Sequence, residues 1–263
     1  TDVWKQSGFA ICYLTDQYRQ REGDLLYDVL HAMRGGGLLN RHRAILDSRM
    51  VSNISGKLPD TCLYTHRGIV EHINEKRLND LPGDMHFLDT EFELKGVSDA
   101  QNDFYREWFV GRRDENGRLI RSGVLMSPEQ LKLKVGARVM FTRNRYSEDE
   151  EHSMMWCNGT LGEVVDFDMD GDPVVVTDEG KDFTVTRDVW EKKEQYKTYD
   201  VFTGKEKIAE KVVARAKQHP LMLAWATTIH KSQGMTLDSA VIDLTRAFEP
   251  GMGYVALSRL RSL

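Results

Sequence analysis

The stretch Ala224-Trp225-Ala226-Thr227-Thr228-Ile229-His230-Lys231-Ser232-Gln233-Gly234-Met235-Thr236-Leu237-Asp238 sets a crowd of polar side chains between two apolar, strand-like runs, Leu221 to Trp225 and Ala240 to Leu244. Hydroxyl, imidazole, ammonium and amide groups at a strand-to-helix junction suit an anion. Backbone N–H groups are exposed there and a helix N-terminus favours negative charge, so phosphate is the natural ligand. Spacing alone leaves a second reading open: a surface loop with a capped helix, since Thr and Ser are common caps.

Upstream, the pattern is strand and helix in alternation. An apolar run from Phe9 to Leu14 precedes a helical spacing of Leu25, Leu26, Val29, Leu30 and Met33. Gly35-Gly36-Gly37 ends that helix; because the glycines follow a helix and not a strand, they read as a C-cap and not as a phosphate loop. Thr61 to Thr65 is β-prone and leads into a helix carrying Ile69, Val70, Ile73 and Leu78, which stops near Leu81-Pro82-Gly83. Met85 to Leu94 is again β-prone. The aromatic residues Phe104, Tyr105, Trp108 and Phe109 then fall on a helix and are expected in the core.

From Leu131 the texture changes to short apolar pieces, Ala137–Thr142, Leu161–Phe167, Pro173–Val176 and Phe183–Val185, joined by Asp/Gly turns at Asp168–Asp172 and Thr177–Lys181. These predict a small β-barrel inserted into an α/β domain, followed by a highly charged connector from Glu191 to Lys217. Val174 to Glu179 imitates a magnesium-binding strand ending in paired acids. Its place inside the β insertion, before Gly180, makes it a hairpin turn instead.

Composition excludes several classes. The 263 residues are 40% hydrophobic and 29% charged, enough for a sizeable core, and no apolar run approaches the ~18 residues of a membrane helix. Cys12, Cys62 and Cys157 stand far apart without a C-x-x-C pair, which fits a reducing compartment and opposes a zinc site or a disulfide framework. No secretory signal is visible at Thr1, and the start reads as a cut, so the expected location is intracellular: cytoplasm, or nucleus or mitochondrion in a eukaryote. A net charge of −5 argues against a uniformly basic nucleic-acid binder, yet the acids concentrate at Glu148 to Glu151, and separate basic groups leave room for a local basic groove.

The segment T-x-H-K-S-Q-G-x-T, Thr228 to Thr236, closely resembles motif V of superfamily 1 helicases of the RecD, Dda and petite-integration-frequency (PIF) group. Three further segments resemble the same family in the right order. Leu14-Thr15-Asp16-Gln17-Tyr18-Arg19-Gln20 is similar to motif IV, Thr65-His66-Arg67 with Ile73-Asn74 to a strand–helix stretch that grips DNA, and Val255 to Ser262 to motif VI. Leu133 to Met140 and Asn158 to Val164 resemble the entry to the family's SH3-like insertion; the longer acidic linker Tyr146 to Met155 departs from it.

The resemblance implies a RecA-like parallel-sheet domain with an inserted small SH3-like β-barrel: 1–134 and 201–263 as the two parts of the lobe, 135–200 as the insertion with its linkers. It implies the C-terminal motor lobe of an ATP-dependent, 5′-to-3′ DNA helicase active in repair or replication. Arg19 and Arg259 would be the arginines that reach the γ-phosphate, a task suited to an always-charged guanidinium fork. Gln20, Gln233 and Gly234 would line the nucleotide side, and Thr65, Arg67, Asn74, Thr228, His230 and Lys231 would face single-stranded DNA. With no Cys or His partner at metal spacing, His230 is expected to contact phosphate or to link the two sites.

No G-x-x-x-x-G-K-S/T phosphate loop exists; the Gly-Lys pairs at Gly56, Gly180 and Gly204 lack both the preceding glycine and the following Ser or Thr. ATP and Mg2+ are therefore expected to be bound mainly by an N-terminal RecA-like lobe of the same parent. The chain itself should need no cofactor to fold, bind no metal, and hydrolyse no ATP alone. Its other expected partners are single-stranded DNA and repair or replication proteins. A non-catalytic single-stranded nucleic-acid-binding module, and a protein-interaction subunit, are the competing readings.

Overall fold

The computed structural model describes residues 3, 6–10, 12, 19–50, 61–115, 119–147, 153–199 and 205–263. Half of the run Phe9 to Leu14, the stretch Leu14 to Tyr18 and the acidic residues Glu148 to Glu151 lie outside the described residues.

Three parallel strands form the centre of the α/β part, in the order Ala226–Thr228, Cys62–Tyr64, Val241–Asp243. Side chains alternate across a strand, so Leu63 points to one face and Cys62 and Tyr64 to the other. Leu63 is fully buried with Leu26 and Leu30 of helix Leu25–Arg34 and with Met252 and Ala256 of helix Met252–Leu257. The opposite face receives helix Arg67–Asp80, whose Val70 packs with Cys62 and Ala226. Each fully buried Leu contributes roughly 1.5–3 kcal/mol by leaving water, so this two-sided cover fixes the sheet.

The first helix begins as its sequence predicts. Leu26 N donates to the Asp24 carboxylate at 2.9 Å, and Gly35 caps the C-terminus. Replacing such an N-cap typically costs about 1 kcal/mol.

The expected barrel is an open sheet among the described residues. Its five antiparallel strands run Asp182–Thr184, Pro173–Thr177, Leu161–Phe167, Arg138–Phe141, Leu221–Leu223, and the two edge strands do not pair with each other. Closure would need those edges to meet. Instead Leu223 is followed almost at once by Ala226, where the chain enters the parallel sheet, so the last strand is tied to both sheets. Phe141, Trp156, Val164, Val175 and Val185 fill its interior with Leu78, Leu131 and Leu133. The decoy acids sit in a hairpin turn, as expected: Asp178 pairs with Arg138, and Lys181 with Glu179 at 3.1 Å.

The charged connector is a long hairpin, Asp188–Tyr199 against Glu206–Gln218, with Glu91–Leu94 added at its base. Tyr105 and Phe109 of helix Asp99–Val110 bury against Val213, Ala214 and Ala216, and Trp108 packs beside them, whereas Phe104, expected in the core, is exposed on the outer side of the helix turn. Cys12 and Cys157 are exposed and Cys62 is buried; all three are free thiols. No helix among the described residues is long and apolar enough to cross a membrane.

Candidate functional site

The polar segment between the strands is a turn and not the start of a helix, which corrects the strand-to-helix reading. Strand Ala226–Thr228 runs into hydrogen-bonded turns: Ser232 N donates to Thr228 O at 3.0 Å and Met235 N to Ser232 O at 3.0 Å. Gly234 has φ +91° with open space where a Cβ would lie, so conformation alone demands glycine there. Ser232, fully buried, donates to Ile229 O at 2.8 Å, and Thr228 Oγ1 accepts from Lys231 N at 3.2 Å. Hydroxyls thus stiffen the turn from inside. Met235 lies against Gly159, where a Cβ would come within 2.8 Å of Met235 Cγ, so the loop leading into strand Leu161–Phe167 supports the turn directly.

At the far end of this turn two arginines converge. Arg19 donates through Nε to Thr236 Oγ1 at 3.1 Å and through Nη1 to Ser258 O at 2.8 Å. Arg259 donates through Nε to Val255 O at 3.0 Å and through Nη2 to Ser258 Oγ at 2.8 Å. Gln20, buried beside them, donates to Leu260 O at 2.6 Å. Neither guanidinium has a carboxylate at ion-pair distance among the described residues. Burial first, and the neighbouring Arg19 charge second, pull Arg259 below its usual pKa. Two like charges held together by neutral groups make a place that gains from a bound polyanion. Gln233 and Gly234 are exposed on the connecting turn.

The second cluster lies at the carboxyl ends of the parallel strands, where open α/β sheets bind ligands. Thr65 is buried, its Oγ1 2.8 Å from His66 Nδ1. Arg67 Nε donates to Glu71 at 2.6 Å. Lys231 is half-buried; desolvation, then the adjacent Arg67 charge, push its pKa down to about 8, with Glu71 opposing. His230 is exposed, 3.2 Å from Glu249. Thr228 is buried behind them.

Asn74 stands apart from this rim. It is buried in helix Arg67–Asp80, donates to Ala226 O at 2.9 Å and accepts from Ala226 N at 2.8 Å. Its amide is spent on clamping the strand, which does not fit a phosphate-facing side chain. The reason is register: one turn beyond Val70, the helix face that carries Asn74 lies on the strand.

Sequence reading assigned no role to Thr236, Ser258, Glu71, Phe248 or Glu249. The first two hold the arginines, and the acids lie against Arg67 and His230 of the rim. The hydroxyl residues lay inside quoted motifs. Phe248, an aromatic side chain in an otherwise polar stretch, was the remaining signal. Among the described residues no cluster of three or more His, Cys, Asp or Glu is placed to hold a metal.

No protein-family model matches the chain. The ATP-dependent DNA helicase Pif1 of a Psychrobacter species is 31% identical over 308 residues, an alignment that covers 100% of this chain and 42% of the relative. The unliganded structure of Pif1 from a Bacteroides species superposes with a TM-score of 0.70 at 29% identity, over 99% of this chain and 52% of that one. The Bacteroides Pif1 complex with ADP-AlF3 and single-stranded DNA gives a TM-score of 0.58 at 28% identity, with the same coverage. The chain spans half or less of the length of the curated relatives it matches.

Proposed function

Since the homologues of this chain are Pif1-family superfamily 1 helicases, matched along its whole length, we propose that it is the C-terminal motor lobe of an ATP-dependent DNA helicase. The observation that carries this reading is the pair of arginines, Arg19 and Arg259, held side by side on neutral partners. Such a pair suits the phosphates of ATP: its donors are fixed in advance and no carboxylate must be displaced.

Arg19 and Arg259 act as the cationic groups that this lobe contributes to a shared nucleotide cleft. Gln20 holds the motif VI backbone in place through Leu260 O. Gln233 and Gly234 border the cleft on the connecting turn. ATP, with Mg2+, supplies the hydrolysable phosphoanhydride; the phosphate loop and metal ligands belong to the N-terminal lobe, this chain's first partner. Single-stranded DNA runs along the rim formed by Thr65, Arg67, Thr228, His230 and Lys231, with Asn74 as a positioning residue beneath it. Travel is 5′-to-3′ by resemblance.

The turn Thr228–Thr236 touches both clusters, with Thr228 and Lys231 at the rim and Thr236 on Arg19. It is the element through which closure around nucleotide reaches DNA. The five-stranded antiparallel sheet is the counterpart of the SH3-like insertion of 135–200, recruiting Leu221–Leu223 from the second part of the lobe, 201–263, and packing on the first, 1–134. The protein works inside the cell, where repair or replication proteins are its further partners.

The test is ATP hydrolysis by the full-length protein with and without single-stranded DNA, beside the chain alone. Turnover by the full-length protein that rises with DNA, and none by the chain alone, is the expected result. DNA binding by a full-length protein that never hydrolyses ATP would return the non-catalytic binding module.

A further inference from the structure

We propose that Phe248 is a stacking platform for a base of single-stranded DNA, flanked by the rings of His66 and His230. The inference rests on the DNA-binding reading above and adds the residue that meets a base rather than a phosphate. Phe248 lies on the loop beyond strand Val241–Asp243 and is 57% exposed. The His66 ring stands 5.3 Å from it, edge-on at 64°, and the His230 ring 6.1 Å away at 30°. The three rings therefore come from three loops, each leaving the carboxyl end of a different strand of the parallel sheet.

A singly exposed Phe is unremarkable on a protein surface. This one is set apart by what each neighbouring loop adds. His66 is followed by Arg67 and His230 by Lys231, so each loop presents a ring and then a cation. Aromatic faces for bases beside cations for the backbone are the composition of a single-strand groove, and stacking tolerates any base because every base has a π-face. Glu249 beside His230 and Glu71 on Arg67 moderate the charge, which shifts affinity from phosphate attraction toward stacking. The two imidazoles neighbour the Phe248 ring, so less freedom is lost when a base arrives.

The experiment measures equilibrium binding of the full-length protein to an oligo-dT and to an abasic oligomer of equal length, over a series of salt concentrations, for wild type, Phe248→Leu and Phe248→Trp. Thermal denaturation of each variant checks folding. We expect Phe248→Leu to weaken oligo-dT binding about tenfold or more, to leave the abasic oligomer and the salt slope unchanged, and Phe248→Trp to restore wild-type affinity. Wild-type affinity of Phe248→Leu for oligo-dT overturns the platform while leaving the DNA reading intact. The same holds if Phe248→Leu loses only thermal stability or ATP turnover, which would place the ring against the other half of the protein. Absence of any salt-dependent binding by the wild type overturns the DNA reading, and the platform with it.

Discussion

The two cationic clusters of this chain are built in opposite ways. Arg19 and Arg259 rest on a threonine hydroxyl, a serine hydroxyl and two backbone carbonyls, with no acid among the described residues to share their charge. Arg67 and His230 are each in contact with a carboxylate, Glu71 and Glu249, while Lys231 lies within the field of both Arg67 and Glu71. The first arrangement is preorganised for an anion of fixed geometry. The second is balanced, which suits the proposed role of letting a strand slide past without being held. In the proposed motor that division would serve translocation, since a rigid grip on DNA would oppose movement.

Changing the character of the first cluster should have the largest effect. In the full-length protein, Arg19→Lys keeps the charge but loses the fork that spans Thr236 and Ser258. DNA-stimulated ATP turnover should fall on the order of a thousandfold while single-stranded DNA affinity is unchanged. An equal loss of both, seen in parallel turnover and binding assays, would mean that the clusters are not separable.

Next in size is the clamp beneath the rim. Asn74→Ala strands the buried N–H and carbonyl of Ala226 and should cost about 1–3 kcal/mol, read in urea denaturation. Unaltered stability with weaker DNA binding would instead restore Asn74 to the DNA face.

The rim is also the pH-sensitive region. Lys231 is cationic below about pH 8, and phosphate favours its charged form. As pH rises through 8, binding must take up a proton, so affinity for single-stranded DNA should fall by at most about tenfold per pH unit. Lys231→Arg should flatten that dependence between pH 7 and 9. A dependence that survives the substitution would assign the titration elsewhere.

The smallest effect is expected at the edge. Arg67→Ala should reduce the salt slope of DNA binding by about one while leaving ATP turnover near normal at saturating DNA. An unchanged slope would show that Glu71 keeps Arg67 from DNA.

Local signals carried most of the fold. Asp24 before an amphipathic run and glycines after it marked a helix to within a residue, and the β-prone run Thr61 to Thr65 marked the strand Cys62–Tyr64. What escaped was set by distant parts of the chain. Whether the antiparallel strands close depends on where Leu221–Leu223 must go next, and that destination is the parallel sheet. The turn after Thr228 carries the hydroxyls of a helix cap, but bonds such as Ser232 to Ile229 spend them inside the turn. Asn74 was expected at DNA through the family resemblance, and its position in the helix does not reveal the strand it covers. At the site, arginines and hydroxyls within one motif were legible; His66, Phe248 and His230 come together only through sheet order.

In the proposed motor, Arg259 and Arg19 complete a nucleotide site whose other half lies in the N-terminal lobe. The most direct test of that role is DNA-stimulated ATP turnover of full-length Arg259→Ala, measured beside nucleotide affinity and thermal stability. Turnover should be lower by about a thousandfold or more with nucleotide still bound and the fold intact. Turnover near the wild-type rate in that folded variant would contradict it.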